Sequence, residues 1–154
     1  MSSSDAATRV RSGLEAVGLR YTVQRMEVFR CLDRLKSHPT TEDVYRRVRR
    51  RLSRISLATV YKALEALVAA GLATKLTSGD GSARYDATGH EHYHFRDTRT
   101  GQVRDLPTTF DPDLLNKLDP RLLEQLAQAG FQVSGYRLEV LGVFAPDRRK
   151  PTAK

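Results

Sequence analysis

The chain has 154 residues, enough for one domain or two small ones, and 40% of them are hydrophobic, enough to build a packed core. No run of about 18 apolar residues occurs, which argues against a membrane-spanning helix. The single cysteine, Cys31, excludes an intrachain disulfide and a multi-cysteine zinc site within one chain, and the net charge is +8.

The start, Met-Ser-Ser-Ser-Asp, shows no basic n-region followed by an apolar h-region, so a cytoplasmic protein is expected. The charge is unevenly placed. Residues 1–86 hold 16 Lys/Arg against 9 Asp/Glu, a net of +7, whereas residues 87–154 hold 10 against 9, a net of +1. A basic N-terminal half points to a polyanion partner, nucleic acid first, with a solvated basic surface as the alternative.

Helical period runs through that half. Val10, Leu14 and Val17 recur at three and four residues and stop at Gly18. Thr22 is placed to cap a second helix carrying Val23, Met26, Val28, Phe29 and Leu32. Cys31 falls in that apolar pattern and reads as a small core residue. Thr40 precedes Asp43 by three residues, a capping-box spacing, before a helix with Val44, Tyr45 and Val48. Arg46, Arg47, Arg49, Arg50 and Arg51 follow; they suit a helix C-terminus, a solvated face or phosphate contact.

Ser56 is a good N-cap for a fourth helix over 56–70, with Leu57, Val60, Leu64, Leu67 and Val68 on one face and Gly71 as terminator. Its other face shows Ala58, Thr59, Tyr61, Lys62 and Glu65. Small and hydroxylated residues at its start let such a helix approach a major groove closely. Two strand patterns, 72–77 and 83–86, flank Ser78-Gly79-Asp80-Gly81, a hairpin turn signal. Helices followed by a hairpin describe a winged helix-turn-helix, although other small domains combine three helices with a hairpin.

The second half reads as a strand over 92–97, a turn at Arg99-Thr100-Gly101 and a strand over 102–106. A helix starting at Asp119-Pro120 carries Leu122, Leu123, Leu126 and Ala129, and a long strand pattern spans Phe131 to Ala145. The tail 148–154 reads as disordered. The fold class is α+β: a winged helix-turn-helix over 1–86, then a small α/β domain over 87–147. A unit of about 60 residues is small to stand alone, which favours dimerisation through it.

Three of the four histidines fall at His90, His92 and His94. Side chains alternate along a strand, so these three imidazoles would share a face, a start for a divalent metal site; a polar strand edge is the plain alternative.

The ordered pieces Gly18–Arg25, His38–Tyr45, Ile55–Leu64, Gly71-Leu72, Arg84-Tyr85-Asp86, His92-Tyr93-His94, Gly101 with Val103, and Phe131 with Val133 together resemble the ferric uptake regulator family of metal-dependent repressors, over about residues 12–145. The resemblance implies a five-ligand regulatory metal site at the hinge between DNA-binding and dimerisation domains: His38, Asp86, His92, His94 and Asp105. Three imidazoles and two carboxylates suit Fe(II) or Mn(II), with Zn(II) a possibility in vitro. Taken singly, His38 could be a capping residue and Asp105 a strand-end charge. His90 matches no ligand and is left as a bystander or part of a weaker second site, where Tyr136 stands in place of a histidine.

The resemblance also implies departures. The family's two Cys-x-x-Cys pairs correspond to Asp97 and Thr100, and to Phe144 and Asp147, so no structural four-cysteine zinc is expected. Packing around Val133, Leu138, Val140 and Phe144 must then support the dimer. Asp86 and Asp105 stand where iron-sensing members tend to carry Glu, and Asp105 with His92-Tyr93-His94 resembles the peroxide-sensing branch, where peroxide oxidises ligand histidines, by position His38 and His92. An iron- or manganese-uptake regulator without peroxide sensing is the alternative.

For DNA, the resemblance implies a homodimer on double-stranded DNA with a palindromic, A·T-rich operator. Tyr61 would meet a thymine methyl, Thr59 a phosphate or base, and Lys62 guanine acceptors, with Arg20 in a narrow minor groove. No membrane partner is expected. A metal-dependent hydrolase is the rival class, but Glu91 faces opposite His92 on a strand and no nucleophile motif or phosphate loop is present. A winged-helix regulator with a vestigial metal site is the other. The chain is therefore expected not to be an enzyme.

Overall fold

A computed structural model describes residues 3–35, 37–77, 81–87 and 91–145. The expected hairpin turn at 78–80, His90, Asp147 and the tail 148–154 lie outside the described residues. The chain divides into two units, Met1–His90 and Glu91–Lys154.

The first unit runs α1 (Ser3–Ala16), α2 (Val23–Arg34), α3 (Thr41–Val48), α4 (Leu57–Ala69), β1 (Thr74–Thr77) and β2 (Ala83–Asp86). Hydroxyl caps set three of the helix starts. Thr22 accepts from the Arg25 N–H at 3.2 Å and Ser56 from the Thr59 N–H at 3.1 Å. Thr40 forms a reciprocal capping box with Asp43. Burial pushes the Asp43 carboxyl upward, but the bonds from Thr40 and Arg46 outweigh it and hold it below its ordinary value. Gly71, at φ 64°, supplies the left-handed turn that ends α4.

The apolar faces meet in one core: Val10 and Leu14 of α1, Met26, Phe29 and Leu32 of α2, Val44 and Val48 of α3, and Val60, Leu64 and Leu67 of α4. Three positions of the expected faces lie outside it. Val17 follows the last residue of α1 and is 45% exposed, while Val23 and Leu57, each the first residue after an N-cap, are 61% and 42% exposed. Spacing fixes a helix face but not where the packed layer stops. β1 and β2 pair antiparallel with Thr74 opposite Asp86. Leu72 and Ala73, expected in the strand, instead close α4 by donating to the Leu67 carbonyl. Tyr85 is fully buried and its hydroxyl donates to Glu65 of α4 at 3.2 Å, tying the hairpin to that helix.

The second unit holds β3 (His94–Asp97), β4 (Val103–Asp105), α5 (Leu114–Leu118), α6 (Leu122–Gln128) and β5 (Glu139–Gly142). The sheet order is β4-β3-β5, with β4 antiparallel and β5 parallel to β3. Gly101, at φ 66°, makes the β3–β4 turn and donates to the Asp97 carbonyl at 2.8 Å. Two expectations change. Asp119 closes α5 rather than capping a helix; its carboxylate accepts from the Arg121 N–H at 2.9 Å and α6 begins at Leu122. The strand expected over 131–145 shrinks to four residues, because β5 pairs only with four-residue β3. All four β5 residues are exposed, as are Leu118, Phe131 and Val143. Among the described residues no helix is long and apolar enough to cross a membrane.

Candidate metal centre and nucleic-acid interface

In the first unit, the loop before α3 and the end of β2 are held together. The Arg84 guanidinium donates to the His38 carbonyl at 3.1 Å, and the Tyr85 N–H donates to the Pro39 carbonyl at 3.0 Å. These bonds bring His38 beside Asp86, with Nε2 to Oδ2 at 3.9 Å. Both side chains are largely buried, at 2% and 10% exposure. His38 has φ 48°, a left-handed conformation otherwise taken only by glycines among the described residues. It is not a cap; Thr40 fills that role.

In the second unit, His94 opens β3 opposite Asp105 of β4. His92 lies just before the strand, its ring centroid 4.4 Å from that of His94. His92 Nε2 is 3.3 Å from Asp105 Oδ1. His94 is buried and Asp105 is 47% exposed at its side chain. Each unit thus gathers imidazole and carboxylate donors at one spot: His38 with Asp86, and His92 and His94 with Asp105. Two or three donors of this kind suit part of a borderline divalent ion's shell, while neither group alone offers five. A buried imidazole beside a carboxylate is also how a metal-ligating histidine is oriented.

Tyr136 is engaged elsewhere. Its hydroxyl lies 2.6 Å from that of Tyr93 and donates to the Asp111 carbonyl, and the Asp111 N–H donates to the Tyr93 hydroxyl at 2.8 Å. Burial and the Tyr93 bond push the Tyr136 phenol far above its ordinary value, so it stays neutral.

Asp97 carries a role that sequence reading assigned only as a missing cysteine. Its buried carboxylate accepts from the backbone N–H groups of Phe144, Arg99 and Thr100 at 2.8, 2.8 and 2.9 Å. The Phe144 bond first, then those from Thr100 and Arg99, hold its pKa below the usual carboxylate range. Asp followed two and three residues later by turn positions is an Asx-turn signal that was present in the sequence; the bond to Phe144 had no local signal.

The DNA-facing candidates lie on two elements of the first unit. Thr59, Tyr61 and Lys62 sit on the first turns of α4, Thr59 half-buried and the other two exposed. The Thr59 hydroxyl lies 2.8 Å from that of its cap, Ser56. Tyr61 has Lys75 of β1 5.8 Å from its ring centroid. Arg20 lies in the α1–α2 loop, exposed, its carbonyl accepting from Arg25.

Four helices closed by a hairpin, followed by a small α/β unit, define a winged-helix protein of the α+β class. The sequence profile of the ferric uptake regulator family matches residues 16–141. The peroxide-responsive repressor PerR of Staphylococcus epidermidis is 34% identical over 134 residues, 86% of this chain and 83% of that protein. The ferric uptake regulator from Pseudomonas aeruginosa, solved with manganese, superposes with a TM-score of 0.64 at 27% identity, over 89% of this chain and 98% of that one. The Helicobacter pylori ferric uptake regulator shares the fold at a TM-score of 0.72 and 19% identity, over 99% and 97% of the two chains. The chain belongs to the ferric uptake regulator family.

Proposed function

We propose that this regulator is a cytoplasmic, metal-dependent DNA-binding repressor that senses peroxide through Fe(II), with Mn(II) as a redox-inert corepressor. The observation that carries the reading is the pairing of histidine with carboxylate in each unit, 3.9 Å for His38 with Asp86 and 3.3 Å for His92 with Asp105. His38, Asp86, His92, His94 and Asp105 would then serve one ion jointly. The domains are 1–86 for DNA and 87–147 for dimerisation. Ligands drawn from both favour one relative arrangement of the domains, and the ion shifts the population toward it by binding that arrangement better.

Bound Fe(II) would supply one-electron chemistry toward hydrogen peroxide. By family position the side chains it would oxidise are His38 and His92, whose oxidation would remove two of five donors and with them the DNA-competent state. Likeness to peroxide-responsive repressors at 34% identity supports this branch. In the repressor, Thr59, Tyr61 and Lys62 read the major groove and Arg20 the A·T-rich minor groove. A homodimer built on the second unit, whose β5 residues and Phe131 and Val143 are exposed, makes the operator palindromic.

An iron- or manganese-uptake regulator is the second reading, favoured by the Pseudomonas aeruginosa relative solved with manganese. One experiment separates the two. DNA affinity is measured with Mn(II) and with Fe(II), before and after peroxide, and the protein is then mass-analysed. Loss of binding only in the Fe(II) form, with +16 on His38 or His92, is expected. Unmodified histidines would leave the uptake reading standing, and affinity indifferent to metal and chelator would sink both.

A further inference from the structure

Between the C-terminal half of α2 and the end of α3 lies a cavity of about 210 Å³, many times the ~30 Å³ share of one water. Arg30 and Arg34 line it from α2; Arg47, Arg50 and Arg51 line it from α3 and the residues that follow. Glu27 is the one carboxylate among its described lining residues. Glu27 is already shared: Arg30 Nη1 lies 2.5 Å from one of its oxygens and Arg51 Nη1 3.5 Å from the other. Arg34, Arg47 and Arg50 have no ion-pair partner among the described residues, so five arginines line the cleft with one carboxylate.

The helix ends do not account for this. A cation at a helix C-terminus is favoured within the last turn, which covers Arg34 and Arg47. Arg50 and Arg51 lie beyond Val48, the last residue of α3. Cys31, which also lines the cleft, does not offset the charge either. Burial pushes its thiol pKa up despite the nearby Arg47 and Arg34, so it stays neutral. Like charges crowded in this way repel unless an anion joins them. Guanidinium forks on two walls match the oxygens of a tetrahedral phosphate. Arg51 also lines a second hollow that reaches Thr59 on α4.

We propose that this cleft is a phosphate-binding site, distinct from the reading face of α4. The phosphate comes either from the DNA backbone beside the major groove, which rests on the DNA-binding reading, or from a free phosphorylated small molecule, which does not.

The test uses the full chain and two double variants that remove equal charge from α3 and its end. R47Q/R50Q alters the cleft; R46Q/R49Q removes arginines that do not line it. Calorimetric titration with inorganic pyrophosphate probes the free ligand, and the salt dependence of affinity for a duplex probes the backbone. Loss of pyrophosphate affinity by about tenfold or more in R47Q/R50Q alone, as expected for lost charge-assisted bonds, supports the site. A fall of about 1.8 in the salt slope in R47Q/R50Q alone supports it with DNA as the source. A pyrophosphate loss with an unchanged slope assigns it to a free ligand. The idea is overturned when the two variants match each other in both measurements. Thermal melts check folding; R34Q, which lines the cleft from α2, replaces the double variant if that one is unfolded, with R46Q as its equal-charge control and a slope fall of about 0.9 expected in place of 1.8.

Discussion

His38 holds a left-handed backbone at φ 48° immediately before Pro39, and its loop is pinned by Arg84 and Tyr85 of β2. A side chain with a Cβ costs ~1–2 kcal/mol in that conformation, a cost glycine escapes. Glycine also gains chain freedom on unfolding, worth ~0.4–1 kcal/mol against it relative to alanine. His38→Gly and His38→Ala remove the same imidazole and leave nearly the same void. Their difference therefore isolates the backbone, and His38→Gly should be the more stable by about 1 kcal/mol. For a unit of this size that amounts to ~4–8 °C in melting temperature. The assay is a pair of thermal melts in chelator, so that metal affinity does not enter. Both variants should bind Mn(II) much more weakly than the parent when metal is restored. Equal melting temperatures, or a more stable alanine variant, would show that the loop relaxes and that no strain is stored at His38.

Other outcomes follow from single contacts. Asp97→Asn removes a carboxylate whose folded pKa is depressed, first by the Phe144 N–H and then by Thr100 and Arg99. Such a group adds stability that is full above its unfolded pKa, ~3.9, and is lost as pH falls through the lower folded value; melts from pH 7 to 2 should show a shallower acid limb for the variant, and superimposable limbs would refute the role. Ser56→Ala deletes the 3.1 Å cap of α4 and should cost ~1 kcal/mol in stability, read as a lower denaturation midpoint with unchanged slope. Lys62→Ala should relax sequence preference in a selection from random duplexes. Arg20→Ala should instead weaken binding to A·T-rich sites and reduce the salt slope by ~0.9; the opposite assignment would reverse the roles given to the two residues.

The first unit was readable because its signals are local. Thr22, Thr40 and Ser56 announce helix starts through bonds that reach three residues, and the cores of α2, α3 and α4 follow from spacing. The second unit was less readable because its pairing is not local. Phe131–Ala145 carries a strand pattern, yet only Glu139–Gly142 finds a partner, and that partner lies more than forty residues earlier. Asp119 satisfied two rules at once, ending one helix and preceding another, and α5 went unseen because its five residues span little more than one turn. For the site, His92 with His94 was visible as a spacing. His38 with Asp86 depends on a loop pinned to a strand, which the family resemblance supplied and periodicity did not.

Asp97 and the histidines proposed as ligands call for opposite responses to metal removal. The β3–β4 turn is tied to the segment after β5 by a carboxylate accepting three N–H groups, a link made without thiolate. No cysteine stands there to hold a metal, and an oxidant meets no sulfur. Stability of the second unit should therefore be indifferent to chelator at neutral pH and sensitive to acid, because the acceptor titrates. The proposed regulatory ion is different: its removal should weaken DNA binding without unfolding either unit, since each histidine–carboxylate pair is already assembled by hydrogen bonds and strand register. Far-ultraviolet circular dichroism and duplex binding, followed together through a chelator titration, separate the two effects. Coincident loss of structure and DNA affinity would mean that a metal, not Asp97, holds the second unit together.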